Sequence, residues 1–66
     1  MKKIIDEIIA FAIRENHFVS YEDNDKCYYI ITLKKMVYSK EIKLLKKLDY
    51  MICIGDREID ILIFKK

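Results

Sequence analysis

The residues that could catalyse a reaction or hold a metal are few in this chain. His17 is the only histidine and there is no Cys-x-x-Cys pair, so a single chain offers no metal site with two imidazoles. As a general base, His17 would need a nucleophile or carboxylate within hydrogen-bond reach, and nearby Ser20 and Tyr21 alternate faces on a predicted strand. We predict that His17 lies just beyond a helix C-terminus, where a partly cationic ring is favoured.

Carboxylates form two small groups that could do chemistry. The stretch 22–25, Glu-Asp-Asn-Asp, offers oxygen ligands to a hard cation but lacks the glycine and distal glutamate of an EF-hand, and we interpret it as a solvated turn. Glu58 and Asp60 alternate with apolar residues, as an acid and base pair would on one strand face. No third residue visibly joins them, so we interpret them as a solvent-facing rim. We predict that the protein is not an enzyme and binds no cofactor.

Basic side chains cluster in the middle of the chain and could contact phosphates. Tyr28, Tyr29 and Tyr38 lie close by in the sequence and could stack on bases. The net charge is only +2, far from the excess typical of a dedicated nucleic-acid-binding protein. Nucleic-acid binding is therefore the alternative prediction. The candidate contacts are Lys34, Lys35, Lys40, Lys43, Lys46 and Lys47.

Neither the cysteines nor the apolar segments indicate an oxidising or membrane environment. Cys27 and Cys53 lie within apolar, strand-like runs, and we predict that both are buried and reduced. No apolar run reaches the roughly 18 residues that a membrane span needs, and the apolar stretch near the N-terminus, Ile4 to Ile13, is interrupted by Asp6 and Glu7. We expect a cytoplasmic protein.

The elements that must position these residues can be predicted from periodicity. Apolar residues at helical spacing predict a first helix over 2–16, ended by Asn16, which tolerates the left-handed conformation. A hairpin follows, with strands over 17–22 and 26–34, and a two-residue and a three-residue loop remain open alternatives for its register. The second strand is apolar on both faces and is expected inside the sheet.

A second helix and hairpin complete the chain. Ser39 is a good N-cap for a helix that continues through Leu48. Strands over 50–54 and 57–64 flank Gly55-Asp56, and glycine at the first central position is what a type II′ turn requires. The implied register pairs Ile54 with Arg57, Ile52 with Ile59 and Tyr50 with Ile61.

The sequence thus predicts one α+β domain over residues 1–66, with a four-stranded antiparallel sheet and two helices packed on one face. Two helices cover about one face of such a sheet, yet apolar side chains point both ways, and a large exposed apolar face marks an interface. We predict a small non-enzymatic interaction module. It would form a homodimer or dock on a protein partner as an inhibitor or adaptor, a class that includes proteins encoded by phages, viruses and mobile elements. The candidate interface residues are Phe18, Tyr28, Ile30, Met51, Leu62 and Phe64.

Overall fold

The fold is the predicted α+β arrangement of two helices on a four-stranded antiparallel sheet. The structure is a computed structural model and describes residues 1–24 and 26–65. In chain order the elements are α1 (Lys2–Arg14), β1 (Phe18–Asn24), β2 (Tyr28–Lys34), α2 (Ser39–Leu45), β3 (Tyr50–Ile54) and β4 (Glu58–Phe64). No helix in the described part of the chain has the length and apolar character needed to cross a membrane.

The helix α1 ends as the sequence predicts. Asn16 has a φ of 59°, and its N–H donates to the carbonyl of Ile13 at 3.0 Å while the N–H of His17 donates to that of Ala12 at 3.0 Å. These two bonds form a Schellman motif, which satisfies carbonyls at the end of the helix. The motif turns the chain directly into β1 and fixes the start of that strand beside α1.

The sheet has the order β1-β2-β4-β3, so β2 lies inside it as predicted. One face is covered by the helices, and their apolar side chains meet those of the strands in one core. The accessible surface of 4571 Å² is close to the roughly 4450 Å² expected for a folded monomer of this mass. The buried apolar residues are Ile5, Ile8, Ala12, Ile31, Leu33, Leu45, Ile59, Ile61 and Ile63.

The first hairpin differs from the prediction at its turn. The strand β1 continues through Asp23 and Asn24, and β2 begins at Tyr28. Asn24 pairs with Tyr28, so three residues connect the strands, and the Asn24 side chain accepts the Lys26 N–H at 3.0 Å. Asp25, the third residue of the predicted turn, lies outside the described residues.

The helix α2 begins and ends earlier than predicted. Its N-cap is Tyr38 rather than Ser39, and the Glu41 carboxylate accepts the Tyr38 N–H at 2.8 Å, which is the bond that the third helical residue makes in a capping box. After Leu45 the chain tightens, since the N–H of Leu48 donates to the Leu45 carbonyl at 2.8 Å. Such i to i−3 bonds close a helix end, so the predicted extension to Leu48 is wrong.

The second hairpin has a longer loop than the predicted type II′ turn. Ile54 pairs with Ile59 and β4 begins at Glu58, leaving residues 55–57 as the connection. Gly55 has no positive φ, which a type II′ turn would require. The Gly55 N–H donates to the Glu58 carbonyl at 2.8 Å, and a Cβ on Gly55 would lie 3.1 Å from that oxygen. A side chain at this position would therefore require the Glu58 carbonyl to shift by a few tenths of an ångström.

The observed register is shifted by two residues from the predicted one. Ile52 pairs with Ile61 and Tyr50 with Ile63, where the prediction paired them with Ile59 and Ile61. Because side chains alternate faces with a period of two, a shift of two keeps every residue on its predicted face. The error therefore leaves the composition of each face unchanged.

Both cysteines are exposed free thiols, so the prediction that they are buried is wrong. Cys27 lies in the turn before β2 rather than within the strand. Cys53 pairs with Asp60, and this pair is on the sheet face that the helices do not cover.

Candidate interaction surfaces

The two faces of the sheet differ in what covers them. On β4, Ile59, Ile61 and Ile63 belong to the core under the helices, and the residues between them point the other way. We call the side away from the helices the open face. Its residues on β2 and β4 are Tyr28, Ile30, Thr32, Lys34, Glu58, Asp60, Leu62 and Phe64.

One end of the open face carries a contiguous apolar cluster. Leu62 pairs with Ile30 on one side and Met51 on the other, and Tyr28 pairs with Phe64, their ring centroids 6.5 Å apart in an edge-to-face arrangement. Four of these side chains are half-buried and Met51 is 47% exposed. These five residues, which we call the open-face cluster, are five of the six candidate interface residues.

Phe18 does not belong to this cluster. It pairs with Leu33, a buried core residue, and packs against the core under the helices. A register shift between Phe18 and Ser20 marks a bulge, so alternation along β1 is interrupted at Val19. The placement of Phe18 on the uncovered face is therefore wrong.

The other end of the open face is polar. The Thr32 hydroxyl donates to the Asp60 carboxylate at 2.8 Å, and Lys34 pairs with Glu58 across the strands. The turn after β3 and the adjoining part of β4 line an open groove of about 520 Å³ that includes Asp60. Within residues 1–24 and 26–65 no three metal-ligating side chains come together.

All six candidate nucleic-acid contacts are exposed. Lys40 lies with its Nζ 5.4 Å from the centre of the Phe11 ring, and the Arg14 guanidinium lies 5.6 Å from the same ring. Lys34 is set apart from the α2 lysines, because it lies at the polar end of the open face opposite Glu58. The structure thus leaves Lys40, Lys43, Lys46 and Lys47 as the basic group on and after α2, and Lys35 precedes it.

A buried polar pair that the sequence did not predict lies between α2 and the start of β1. His17 is 5% exposed and Glu41 is fully buried, and His17 Nε2 lies 2.8 Å from Glu41 Oε2. The imidazole stacks on the Tyr38 ring at 4.6 Å and meets Phe11 edge to face at 6.5 Å. Two aromatic rings therefore shield the pair from water.

The hydrogen bonds of this pair indicate its protonation pattern. The second ring nitrogen of His17, Nδ1, is buried with no partner, and a buried N–H without an acceptor is costly. The arrangement favours the tautomer in which Nε2–H donates to the carboxylate and Nδ1 carries no proton. The other Glu41 oxygen accepts the Tyr38 N–H at 2.8 Å, so the carboxylate joins the cap of α2 to the end of α1.

The signal for this pair in the sequence was incomplete. Glu41 stands three residues after Tyr38, which is the spacing of a capping box, and His17 follows a predicted helix end. No pattern in the sequence predicts that residues 17 and 41 are in contact. No family model, curated protein or solved structure matches the chain.

Proposed function

We propose that this protein is a non-enzymatic interaction module that self-associates through its open-face cluster. The observation that carries the proposal is the grouping of Tyr28, Ile30, Met51, Leu62 and Phe64 on three neighbouring strands with no helix over them. Burying apolar surface contributes about 25 cal/mol for each Å² removed from water. A domain of 66 residues has little core of its own, so covering this patch would add substantially to its stability.

A second copy is the partner that fits the distribution of charge. The open-face cluster contains no charged residue, and the charged pair Lys34 and Glu58 lies at the other end of the face. In a two-fold dimer the same patch meets itself, and an apolar patch does so without bringing like charges together. Two such faces can stack about 10 Å apart, as the sheets of a β-sandwich do.

A charge placed in the middle of the cluster tests this proposal. We expect Leu62→Lys to elute later from gel filtration than the wild type, because a lysine there would be buried unpaired in the contact. Phe64→Lys should behave in the same way. Ile13→Lys is the matched control, since Ile13 is 60% exposed on α1 and lies outside the cluster.

Circular dichroism and elution volume together distinguish loss of association from loss of the fold. All three variants should keep the circular dichroism of the wild type, because the altered side chains lie outside the core. An unchanged elution volume for Leu62→Lys and Phe64→Lys, with the fold retained, would contradict self-association through this face.

Nucleic-acid binding is the second candidate, supported by the exposed lysines on and after α2. Phosphate contacts would make such binding weaken steeply with salt, whereas apolar association would not. We expect a Lys43→Glu, Lys47→Glu double variant to lose binding to a labelled oligonucleotide if the basic group carries it. Equal binding by the wild type and this variant would remove the candidate.

A further inference from the structure

The two edges of the sheet are built differently. The edge strand β1 contains Glu22 and Asp23 and a bulge beside Phe18, which are devices that discourage pairing with another strand. The edge strand β3 reads Tyr-Met-Ile-Cys-Ile and has neither charge nor proline. Its register with β4 is continuous, and Ile54 is 81% exposed at its end.

The hydrogen bonds at both ends of the second hairpin show which backbone groups of β3 are free. The Phe64 N–H donates to the Asp49 carbonyl at 2.8 Å, and the Gly55 N–H donates to the Glu58 carbonyl at 2.8 Å. In an antiparallel pair, hydrogen-bonded positions alternate along the strand. Residues 49, 51, 53 and 55 therefore direct their backbone groups towards β4.

The intervening residues direct their backbone groups outward. Tyr50, Ile52 and Ile54 thus present three N–H and three C=O groups at the free edge of the sheet, since β4 is the one strand paired with β3 among residues 1–24 and 26–65. Their side chains lie on the covered face with Ile59, Ile61 and Ile63. The edge is ready to accept another strand.

We infer that a second copy of this chain pairs with β3 antiparallel, placing Ile52 opposite Ile52 of the second copy and Tyr50 opposite its Ile54. This register matches every outward backbone group with another outward group and gives six hydrogen bonds by alternation. If the register were shifted by two residues in either direction, Tyr50 or Ile54 would lie beyond the end of the partner strand. The pairing joins two four-stranded sheets into one of eight strands.

The side chains of β3 favour the same register. Tyr50 beside Ile54 is an aromatic and β-branched pair, of the kind that stabilises neighbouring strands, and it shelters Ile54. On the open face, Met51 meets Cys53 of the second copy, and no like charges are opposed. Pairing of β3 with β1 of another copy is disfavoured by Glu22, Asp23 and the bulge, so the contact closes as a two-fold dimer.

This contact deepens the proposed function, on which its biological meaning rests. It is made by the backbone edge of β3, and Met51 is the one residue of the open-face cluster that lies on that strand. The two-fold axis of edge pairing is perpendicular to the sheet, and the axis of face stacking is parallel to it. Two such contacts close as a tetramer when their axes intersect, and otherwise continue as an open assembly. We expect the closed form, a wild-type tetramer, when both contacts form.

Two single variants and their combination separate the contacts. Ile54→Lys should remove the edge contact without unfolding the chain, because Ile54 is 81% exposed and a lysine on an edge strand opposes pairing. Leu62→Lys should remove the face contact. We expect each single variant to give a dimer and the double variant a monomer, by light scattering. Val19→Lys, on the other edge at a residue 38% exposed, should leave the mass unchanged.

The same series distinguishes the two possible failures. A Leu62→Lys protein that stays associated, with Ile54→Lys alone giving a monomer, would support the edge contact and contradict the open-face contact. The reverse pattern would support the face and overturn the edge inference. An Ile54→Lys mass equal to that of the wild type overturns the edge inference as well.

A thiol cross-link tests the register. Opposed residues without mutual hydrogen bonds have Cα atoms about 4.5 Å apart, within the range that a disulfide spans. In a Cys27→Ser background, we expect Met51→Cys to form a disulfide between the introduced thiol and Cys53 of the second copy. Oxidised glutathione takes up the two electrons and is itself reduced to two thiols.

The readout is a covalent dimer on a non-reducing gel, mapped by peptide mass. Cys27→Ser alone is the control, because in this register Cys53 does not face Cys53 of the second copy. A covalent dimer in the control at the same rate, or a disulfide formed only within one chain of the Met51→Cys protein, would overturn the register.

Discussion

The strand β4 lies between two different environments, and the contrast between its faces explains much of the molecule. Ile59, Ile61 and Ile63 point under the helices and are almost fully buried. Leu62 and Phe64 point to the open face and are half-buried. The two sets are almost equally apolar, so the difference lies in what covers them. The apolar pattern of β4 therefore extends to both faces of the sheet, of which the helices cover one.

Polar side chains under the helices and on the open face also differ in their burial and in their hydrogen-bond partners. Under the helices, Glu41 is fully buried and bonded to His17 and to the Tyr38 N–H. On the open face, Asp60 is exposed and accepts the Thr32 hydroxyl beside water. Because removing one partner of a buried ionisable pair leaves the other unpaired without solvent, the covered side should tolerate far less change.

Among the predictions that test this contrast, we expect the largest loss of stability when the buried Glu41 carboxylate is removed. We expect Glu41→Ala to lower the free energy of unfolding by about 2 to 6 kcal/mol, because it leaves the His17 Nε2–H and the Tyr38 N–H without acceptors, at about 1 to 3 kcal/mol each. The total for a domain of this size is roughly 3 to 10 kcal/mol. Urea unfolding followed by circular dichroism measures it. Glu58→Ala, at an exposed carboxylate on the open face, is the matched control and should change stability by no more than about 0.5 kcal/mol. Similar losses for the two variants would show that the buried pair contributes nothing special.

The next largest effect on stability is expected from truncating Ile61, and its neighbour Leu62 on β4 provides the comparison. We expect Ile61→Ala to cost about 2 to 5 kcal/mol, because it opens a cavity in the core. Leu62→Ala should cost less than half as much when both are measured at a concentration where the protein is monomeric, because that side chain already contacts water. Equal costs in urea unfolding would mean that the open face is already packed within a single chain.

The smallest effect concerns a surface contact near the N-terminus. The Lys2 ammonium donates to the Tyr21 hydroxyl at 3.2 Å, which raises the pKa of Lys2 above its ordinary value of 10.5. A raised pKa means that the contact stabilises the fold below about pH 10.5 and is lost as the pH rises through the folded-state pKa. We expect Tyr21→Phe to lower the pKa of Lys2 in an NMR titration. An unchanged pKa would assign the shift to the nearby Asp6 carboxylate, 3.8 Å away.

The sequence was a good guide to the fold because each element carries a local signal. Helical periodicity and Asn16 predicted α1 and its end, and alternation placed five of the six interface candidates on the open face. Phe18 was misplaced because the bulge in β1 interrupts alternation, and a bulge has no reliable signature in one sequence. Gly55 predicted a turn, but it has no positive φ there, and the feature of this position is the Glu58 carbonyl oxygen 3.1 Å from where a Cβ would lie.

The features that were missed depend on contacts between distant parts of the chain. His17 and Glu41 are 24 residues apart, and neither local pattern identifies the other as its partner. The cysteines were predicted to be buried from the apolar runs around them, yet Cys53 faces outward on an edge strand and Cys27 precedes its strand. Burial depends on the order of strands in the sheet, which periodicity does not determine.

The mass of the wild-type protein in solution tests the central claim most directly. Light scattering over a concentration series, at low and at high salt, should give an associated species whose mass does not fall as salt is added, because apolar contacts are insensitive to ionic strength. A monomeric mass throughout the series would contradict the claim that this protein works by covering its open face with a second copy.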